Sequence, residues 1–242
     1  GVLLVDKPAG MTSHDVCQRI RSRLRLGKVG HGGTLDPFAT GLLPLLLNGT
    51  TRLMPQLQNQ DKGYEARVRL GQRTDTMDPT GAFTMETDAS VLSDDEIRAA
   101  IAAFEGEYEQ TVPRYAAARV DGKRLYEYAR AGEEVQLPTK LVVVSSIETL
   151  GIERSGTTVD VLVRLDCGAG TYVRAIADDL GQALGVGGHL LSLRRTRTGM
   201  LRVHEACTVD RICDESERWR EERAALQADG GRLPFVAATN AA

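Results

Sequence analysis

Between Asp15 and Asp61 the chain carries a single acidic residue, Asp36, set in the glycine-rich segment Val29-Gly-His-Gly-Gly-Thr-Leu-Asp-Pro-Phe-Ala-Thr-Gly-Leu-Leu-Pro44. Arg19, Arg21, Arg23, Arg25, Lys28 and Arg52 share that interval. One carboxylate can serve as a nucleophile or a base, and a basic surface draws in phosphate. The combination points to chemistry on a polyanion. On spacing alone an Asp-Pro pair is more commonly a turn starter, so the rest of the chain has to separate the two readings.

Other chemistry-bearing residue types are sparse. Cys17, Cys167, Cys207 and Cys213 form no Cys-x-x-Cys pair, which disfavours a zinc site or a disulfide framework and leaves buried free thiols. No pair among His14, His189 and His204 has metal-ligand or triad spacing. No metal and no cofactor is therefore expected.

The 242 residues, 42% of them apolar, can bury a sizeable core. The longest apolar stretch, Leu42 to Leu47 around Pro44, is far too short to span a bilayer. With no charged-then-apolar leader before the first motif, a cytoplasmic location is expected. Net charge is only -3, but residues 1 to 60 carry seven Lys/Arg against three Asp/Glu. Arg194, Arg195 and Arg197 form a second cluster. Together the two patches suit the phosphate backbone of RNA or DNA; the alternative for Arg19 to Arg25 is a merely solvated helix face.

The elements that must position these residues read as a mixture. Gly1 to Asp6 is strand-like, Ser13 looks like an N-cap, and Val16, Ile20 and Leu24 recur at helical spacing. Gly27 to Pro37 reads as loop, Tyr64 to Leu70 as an alternating strand, and Gln72 to Gly81 as a long connection. Ser93 to Phe104 is a capped helix and Arg124 to Arg130 a short one. Val142 to Leu150 and Thr158 to Leu165 are β-rich, and Thr171 to Leu184 returns to helix. Strands neighbouring in sequence favour an α+β fold, a mixed, largely antiparallel sheet flanked by helices. The organisation expected is one catalytic domain over residues 1–207 and a short extension over 208–242, too small for a full RNA-binding domain.

Gly1-Val-Leu-Leu-Val-Asp-Lys-Pro-Ala-Gly-Met-Thr-Ser-His-Asp15 and Gly30 to Pro44 resemble segments of the bacterial TruB-type tRNA pseudouridine synthases. Further matches follow in the same order: Asp61-Lys-Gly-Tyr64, Leu70-Gly-Gln-Arg-Thr-Asp-Thr-Met-Asp78, Gly122 to Arg130, Gly170-Thr-Tyr-Val-Arg-Ala-Ile-Ala-Asp-Asp-Leu-Gly181 and Leu193-Arg-Arg-Thr-Arg-Thr-Gly199. Several ordered segments are far more specific than any one of them.

The resemblance implies a stand-alone enzyme that isomerises uridine 55 in the TΨC loop of tRNA, with Asp36 as the catalytic carboxylate. That reaction breaks an N-glycosidic bond, turns the base and rejoins it through carbon, so one carboxylate suffices. A glycoside hydrolase would need two. Keeping Asp36 ionised in a dry pocket calls for an opposing cation, and the resemblance assigns Arg174. It also places Tyr64 against a flipped-out base, with Tyr172 and Leu193 lining the same pocket. His31 would help hold the displaced loop nucleotides, and Asp78 would orient a substrate-contacting loop. The T-arm of tRNA is the expected partner, with no membrane, no obligate protein partner and a monomeric state. Two alternatives stand beside this reading: an RNA-folding module in which catalysis is secondary, and a guide-RNA-dependent synthase, against which the short segment after Cys207 weighs.

If the helix bearing Arg21, Arg23 and Arg25 contacts phosphates, removing those three charges flattens the salt dependence of T-arm stem-loop binding, by roughly one unit of log-log slope per lost contact. Tyr64→Ala leaves the slope unchanged, because no phosphate contact is lost. Equal slopes for all three proteins across a salt series would reduce the basic cluster to a solvated face.

Overall fold

The computed structural model describes residues 1–228. The chain forms two compact units, one from residues 1–64 together with the segment from Arg194 onward, the other from Glu65–Leu193. Residues 229–242, the last part of the extension expected over 208–242, lie outside the described residues.

The first unit begins with β1 (Val2–Lys7), α1 (Ser13–Arg23), β2 (Val29–His31), β3 (Thr40–Leu47), α2 (Met54–Gln58) and the start of β4 (Lys62–Leu70). The second contains β5 (Gln72–Thr74), β6 (Phe83–Glu86), α3 (Asp94–Ala102), β7 (Gly106–Thr111), β8 (Arg119–Val120) and β9 (Lys123–Arg124). It continues through α4 (Leu125–Ala131), β10 (Thr139–Ser155), β11 (Thr158–Cys167) and α5 (Val173–Ala183). The chain returns to the first unit within β12 (Gly188–Thr198), followed by β13 (Leu201–Arg202), β14 (Cys207–Thr208), α6 (Val209–Asp214) and α7 (Ser216–Ala228).

In the first unit β1 runs antiparallel to β3, from Val2 opposite Leu46 to Lys7 opposite Gly41, and parallel to β14. Pro44 lies inside β3, where its missing N–H costs a ladder bond, yet its carbonyl still accepts from Gly32 N–H at 2.8 Å. The continuous apolar run of β3 therefore buries both faces, as its pattern from Gly41 to Leu46 shows. Val16, Ile20 and Leu24 of α1 pack with Leu3, Val5, Leu43 and Leu45 into one core. Each such side chain contributes roughly 1.5–3 kcal/mol on burial. Val209, Ile212 and Cys213 belong to that same core, so in packing terms the segment just past Cys207 is part of the first unit.

In the second unit the strand order is β4-β11-β10-β7, with β10 antiparallel both to β11, its hairpin partner, and to β7. The α+β architecture with a largely antiparallel sheet is thus borne out. Differences are local. The N-cap of α1 is Thr12, in a capping box with Asp15, and not Ser13. The expected loop over Gly27 to Pro37 holds the three-residue β2, because His31 and Val29 find partners in Leu45 and Leu47. The strand over Val142 to Leu150 runs for 17 residues, carried through by register shifts near Ser146 and Gly151.

Helix α5 has an unusually polar buried face. Asp178 accepts two bonds from Arg73, at 2.5 and 2.9 Å, and one from Gln182 at 2.7 Å. Burial first, and then the negative charge of Asp178, push the Asp179 carboxyl up to about 6, with Arg73 opposing. The folded state therefore binds the extra proton between the unfolded carboxylate range and pH 6. Stability contributed by this group falls as pH rises from about 4 to about 6 and is level above. Asp179→Asn should stabilise the protein by about 1–2 kcal/mol at pH 7, after discounting for partial exposure, and by little at pH 4. Urea midpoints at the two pH values check this; an equal shift at both would show that Asp179 titrates normally.

Candidate functional site

The loop bearing Asp36 is held through its backbone. Asp36 starts a turn in which Ala39 N–H donates to its carbonyl at 3.1 Å, so the turn-starter reading of Asp-Pro is correct as far as it goes. What distinguishes this turn is that buried side chains reach the carbonyls on both sides of Asp36. Ser13, buried at the start of α1, donates to Leu35 O at 3.1 Å and accepts from Leu35 N–H at 2.9 Å. A residue expected to cap its own helix instead fastens the residue before the carboxylate.

On the other side, Lys7 is fully buried at the end of β1. Its ammonium donates to Pro8 O, Met11 O and Pro37 O at 2.8, 2.7 and 3.2 Å, which satisfies all three of its protons. Burial draws its pKa down to about 8, offset by the negative charges of Asp36 and Asp15 and reinforced by Arg195; the group is still an ammonium at neutral pH. Pro37 O also accepts from Gly10 N–H at 2.8 Å.

Arg195 completes the arrangement and corrects the reading of the second basic cluster. Only 1% exposed, it donates from Nε to Leu42 O at 2.7 Å and from its two terminal nitrogens to Thr34 O at 3.3 Å and Gly33 O at 3.1 Å. It is turned inward and does not present itself to phosphate. Its backbone pairs with β3 opposite Gly41, where φ is +100° and an added Cβ would run into the Arg195 main chain; glycine is required there. Arg194 is bound bidentately by Asp6 at 3.0 and 2.7 Å. On α1, Arg19 pairs with Asp210 at 3.0 Å across exposed surface, and Arg21 and Arg23 are exposed, as is Arg25 in the turn just past the helix. A basic and aromatic surface that the sequence reading did not single out lies in the second unit: Lys123 sits 4.5 Å from the Tyr128 ring, and Arg124 and Arg130 lie 5.7 and 5.4 Å from Tyr126.

His31, half-buried on β2, shares the first unit with Asp36. Burial and the nearby Arg195 guanidinium hold its imidazole below the ordinary range, with a backbone hydrogen bond at Gly33 opposing. Tyr64 is buried on β4. Arg174, Tyr172, Asp78 and Leu193 belong to the second unit. Within it, Arg174 is 4% exposed and donates to Tyr115 O at 3.0 Å and Thr76 O at 3.5 Å. Its guanidinium lies 5.8 Å from the Tyr172 ring, and Lys140 Nζ lies 5.7 Å from the same ring. Asp78 Oδ1 accepts from Thr76 Oγ1, Thr80 N–H and Thr80 Oγ1 at 2.8, 2.9 and 2.6 Å. Its carboxylate therefore shapes the loop that supplies Thr76 O to Arg174. Leu193 is buried on β12. All four cysteines are buried free thiols, and among the described residues no group of three His, Cys, Asp or Glu side chains is placed to hold a metal. Among them, too, no helix is long and apolar enough to cross a membrane.

The family model for the N-terminal domain of TruB family pseudouridylate synthases matches residues 21–173, and that for the tRNA pseudouridylate synthase B C-terminal domain matches residues 174–229. A tRNA pseudouridine synthase B of Aromatoleum aromaticum is 52% identical over 86% of this chain and 66% of its own length. One from a Mycobacterium species is 47% identical over 89% of this chain and 72% of its own. The chain thus spans about two thirds of the first of these relatives. Among solved structures, a Cbf5-Nop10-Gar1 complex contains a chain 34% identical with a TM-score of 0.69, covering 92% of this chain and 56% of that one.

Because Arg195 donates to three carbonyls, Leu42 O in the interior and Thr34 O and Gly33 O partly buried, Arg195→Lys leaves at least one of them without a donor: a point-like ammonium cannot span the guanidinium's fork. Urea denaturation should show a loss of about 2–4 kcal/mol. Arg194→Lys, at a partly exposed pair, should cost under about 1 kcal/mol. Comparable losses at the two positions would mean that Arg195 is not the tie described.

Proposed function

Starting from the fact that the chain belongs to the TruB family of pseudouridylate synthases, we propose that it isomerises uridine to pseudouridine in tRNA, at position 55 of the TΨC loop, with Asp36 as the catalytic carboxylate. The observation that carries this reading is the bracketed loop: Ser13, Lys7 and Arg195 fix the carbonyls at positions 33, 34, 35 and 37. A carboxylate carried on so constrained a backbone is preorganised, which is what holding a reacting atom near attack geometry requires.

The chemistry asked of Asp36 is limited. The bond from N1 of the base to the ribose breaks, the base turns and a bond forms from C5 to the same ribose carbon; C5 gives up its proton and N1 takes one up, so the product is an isomer of the substrate. One carboxylate can assist as nucleophile or as base in that sequence. Arg174 supplies the positive charge that keeps the reaction's carboxylate ionised when water is excluded. Tyr64, Tyr172 and Leu193 provide the walls for the extruded uridine, stacking contributing ~1–3 kcal/mol per base against an extrusion cost of a few kcal/mol. His31 holds neighbouring loop nucleotides, and Asp78 acts through the loop it shapes. The protein works in the cytoplasm, on tRNA, as a monomer and without a guide RNA; relatives named tRNA pseudouridine synthase B at about half identity favour this over the guide-dependent type represented by the 34% identical Cbf5 chain.

Asp36→Asn should abolish pseudouridine formation in tRNA while T-arm stem-loop affinity stays within about tenfold, because the amide keeps shape and loses charge and nucleophilicity. Arg174→Lys should lower single-turnover conversion at least about tenfold, since a point charge does not replace the planar guanidinium. Conversion near the wild-type rate by Asp36→Asn would refute the assignment. Survival of a cellular tRNA-folding phenotype in that variant would favour the RNA-folding reading.

A further inference from the structure

The side chain of Gln110, on β7, is fully buried and touches no residue so far assigned a chemical role except through the backbone. Its Oε1 accepts Tyr172 N–H at 2.9 Å, and its Nε2 donates to Tyr172 O at 3.1 Å and to the Tyr108 hydroxyl. One planar amide thus takes up both main-chain polar groups of a single residue, in the way a neighbouring strand would. Tyr172 is where such help is needed. It is the N-cap residue of α5, extended at φ -98° and ψ 104°, and its side chain makes no capping bond, so the helix lacks the usual device for fixing its entry.

From this juxtaposition we propose that Gln110 is a positioning residue for the reaction: its amide sets the backbone of Tyr172, and with it the aim of the Tyr172 ring and of Arg174 two residues on. The inference rests on the reading of Tyr172 and Arg174 as substrate-facing groups. Three observations tie them to Gln110. The Lys140 and Arg174 cations lie 5.7 and 5.8 Å from the centre of the Tyr172 ring. Tyr172 O is also the acceptor for Ala175 N–H and Ile176 N–H at 3.1 and 3.3 Å, so the first turn of α5 hangs on the carbonyl that Gln110 holds. And β7 leads directly to the segment that offers Tyr115 O to Arg174 at 3.0 Å. The ring and the guanidinium therefore move together with one amide. Small displacements of this kind are costly, since a shift of about 1 Å at a reacting group can cost about 10²-fold in rate.

An amide is the side chain this bracket calls for, because it offers one acceptor and a donor in a fixed plane. A protonated glutamic acid offers the same pair, and an ionised one sets a negative charge against the Tyr172 carbonyl. The charged and titratable groups around that position are Tyr108 on the same strand, Lys140 on β10, Cys167 on β11, and Arg174 and Asp179 on α5. Tyr108 is raised by burial and by Asp179 and stays neutral throughout the range used here.

The experiment compares wild type, Gln110→Met and Gln110→Glu by far-UV circular dichroism, by amide exchange of Tyr172, by T-arm stem-loop affinity and by single-turnover pseudouridine formation between pH 5.5 and 8.5. Gln110→Met should stay folded, exchange the Tyr172 amide at least about 100-fold faster, convert uridine about 10- to 100-fold more slowly and bind the stem-loop within about threefold of wild type. Gln110→Glu should approach the wild-type rate within about threefold at pH 5.5 and fall at least about tenfold below it at pH 8.5. The proposal is overturned if Gln110→Met keeps the wild-type rate, if it fails to fold, if binding falls as far as turnover, or if the ratio of Gln110→Glu to wild type is the same at every pH. An inactive wild type whose Tyr172 amide is nonetheless protected by Gln110 would refute the functional reading and leave the bracket standing, so the two failures are told apart.

Discussion

The arrangement on which the rest of the first unit depends is the set of buried donors that converge on the Asp36 loop. A loop has no ladder to satisfy its carbonyls, and a carbonyl removed from water without a partner costs about 1–3 kcal/mol. Lys7, Ser13 and Arg195 meet that demand from three different elements, the end of β1, the start of α1 and β12. Each donor is itself buried, so each would be as costly unpaired as the carbonyl it serves. Loop and donors are mutually required, and the turn that carries Asp36 has one low-energy geometry.

That mutual requirement explains features which otherwise look unrelated. Gly41 must be glycine because the Arg195 backbone passes too close for a Cβ. Lys7 tolerates full burial because three carbonyls and the nearby carboxylates of Asp36 and Asp15 offset the loss of water. The apolar core formed by α1, β1 and β3 supplies the rigidity, since it fixes both Ser13 and Lys7 relative to the loop. Polar specificity here rides on hydrophobic packing and could not exist without it.

The second unit solves a similar problem with different residues. The irregular segment after β5 is closed by Asp78, which gathers Thr76 and Thr80, and the entry to α5 is closed by Gln110. In both places a short polar side chain stands in for secondary structure beside a group with a proposed chemical role. Loops placed this way gain the precision of a strand while leaving one face open to a substrate.

The α+β class, the helix over Val16 to Leu24, the capped helix after Ser93 and the paired β segments after Val142 were all legible in residue order, because each depends on periodicity and local capping. Asp36 was legible as an isolated carboxylate in glycine-rich surroundings, and the ordered motifs named its family. What the sequence could not reveal were contacts spanning many residues of chain. Ser13 read as a cap because a serine before an amphipathic stretch satisfies that local rule; only the folded chain brings Leu35 to it. Arg195 reads as a surface cation because it sits between Arg194 and Arg197, and strand alternation alone does not say that its buried side chain meets three main-chain carbonyls 153 to 162 residues away. Lys7 and Gln110 carry no local sign of burial, since a lysine or glutamine is ordinarily solvated. Local propensity and motif order determined which elements form and which family they serve; the tertiary structure decided which polar side chains are internal, because only there does the cost of an unsatisfied carbonyl meet a donor close enough to remove it.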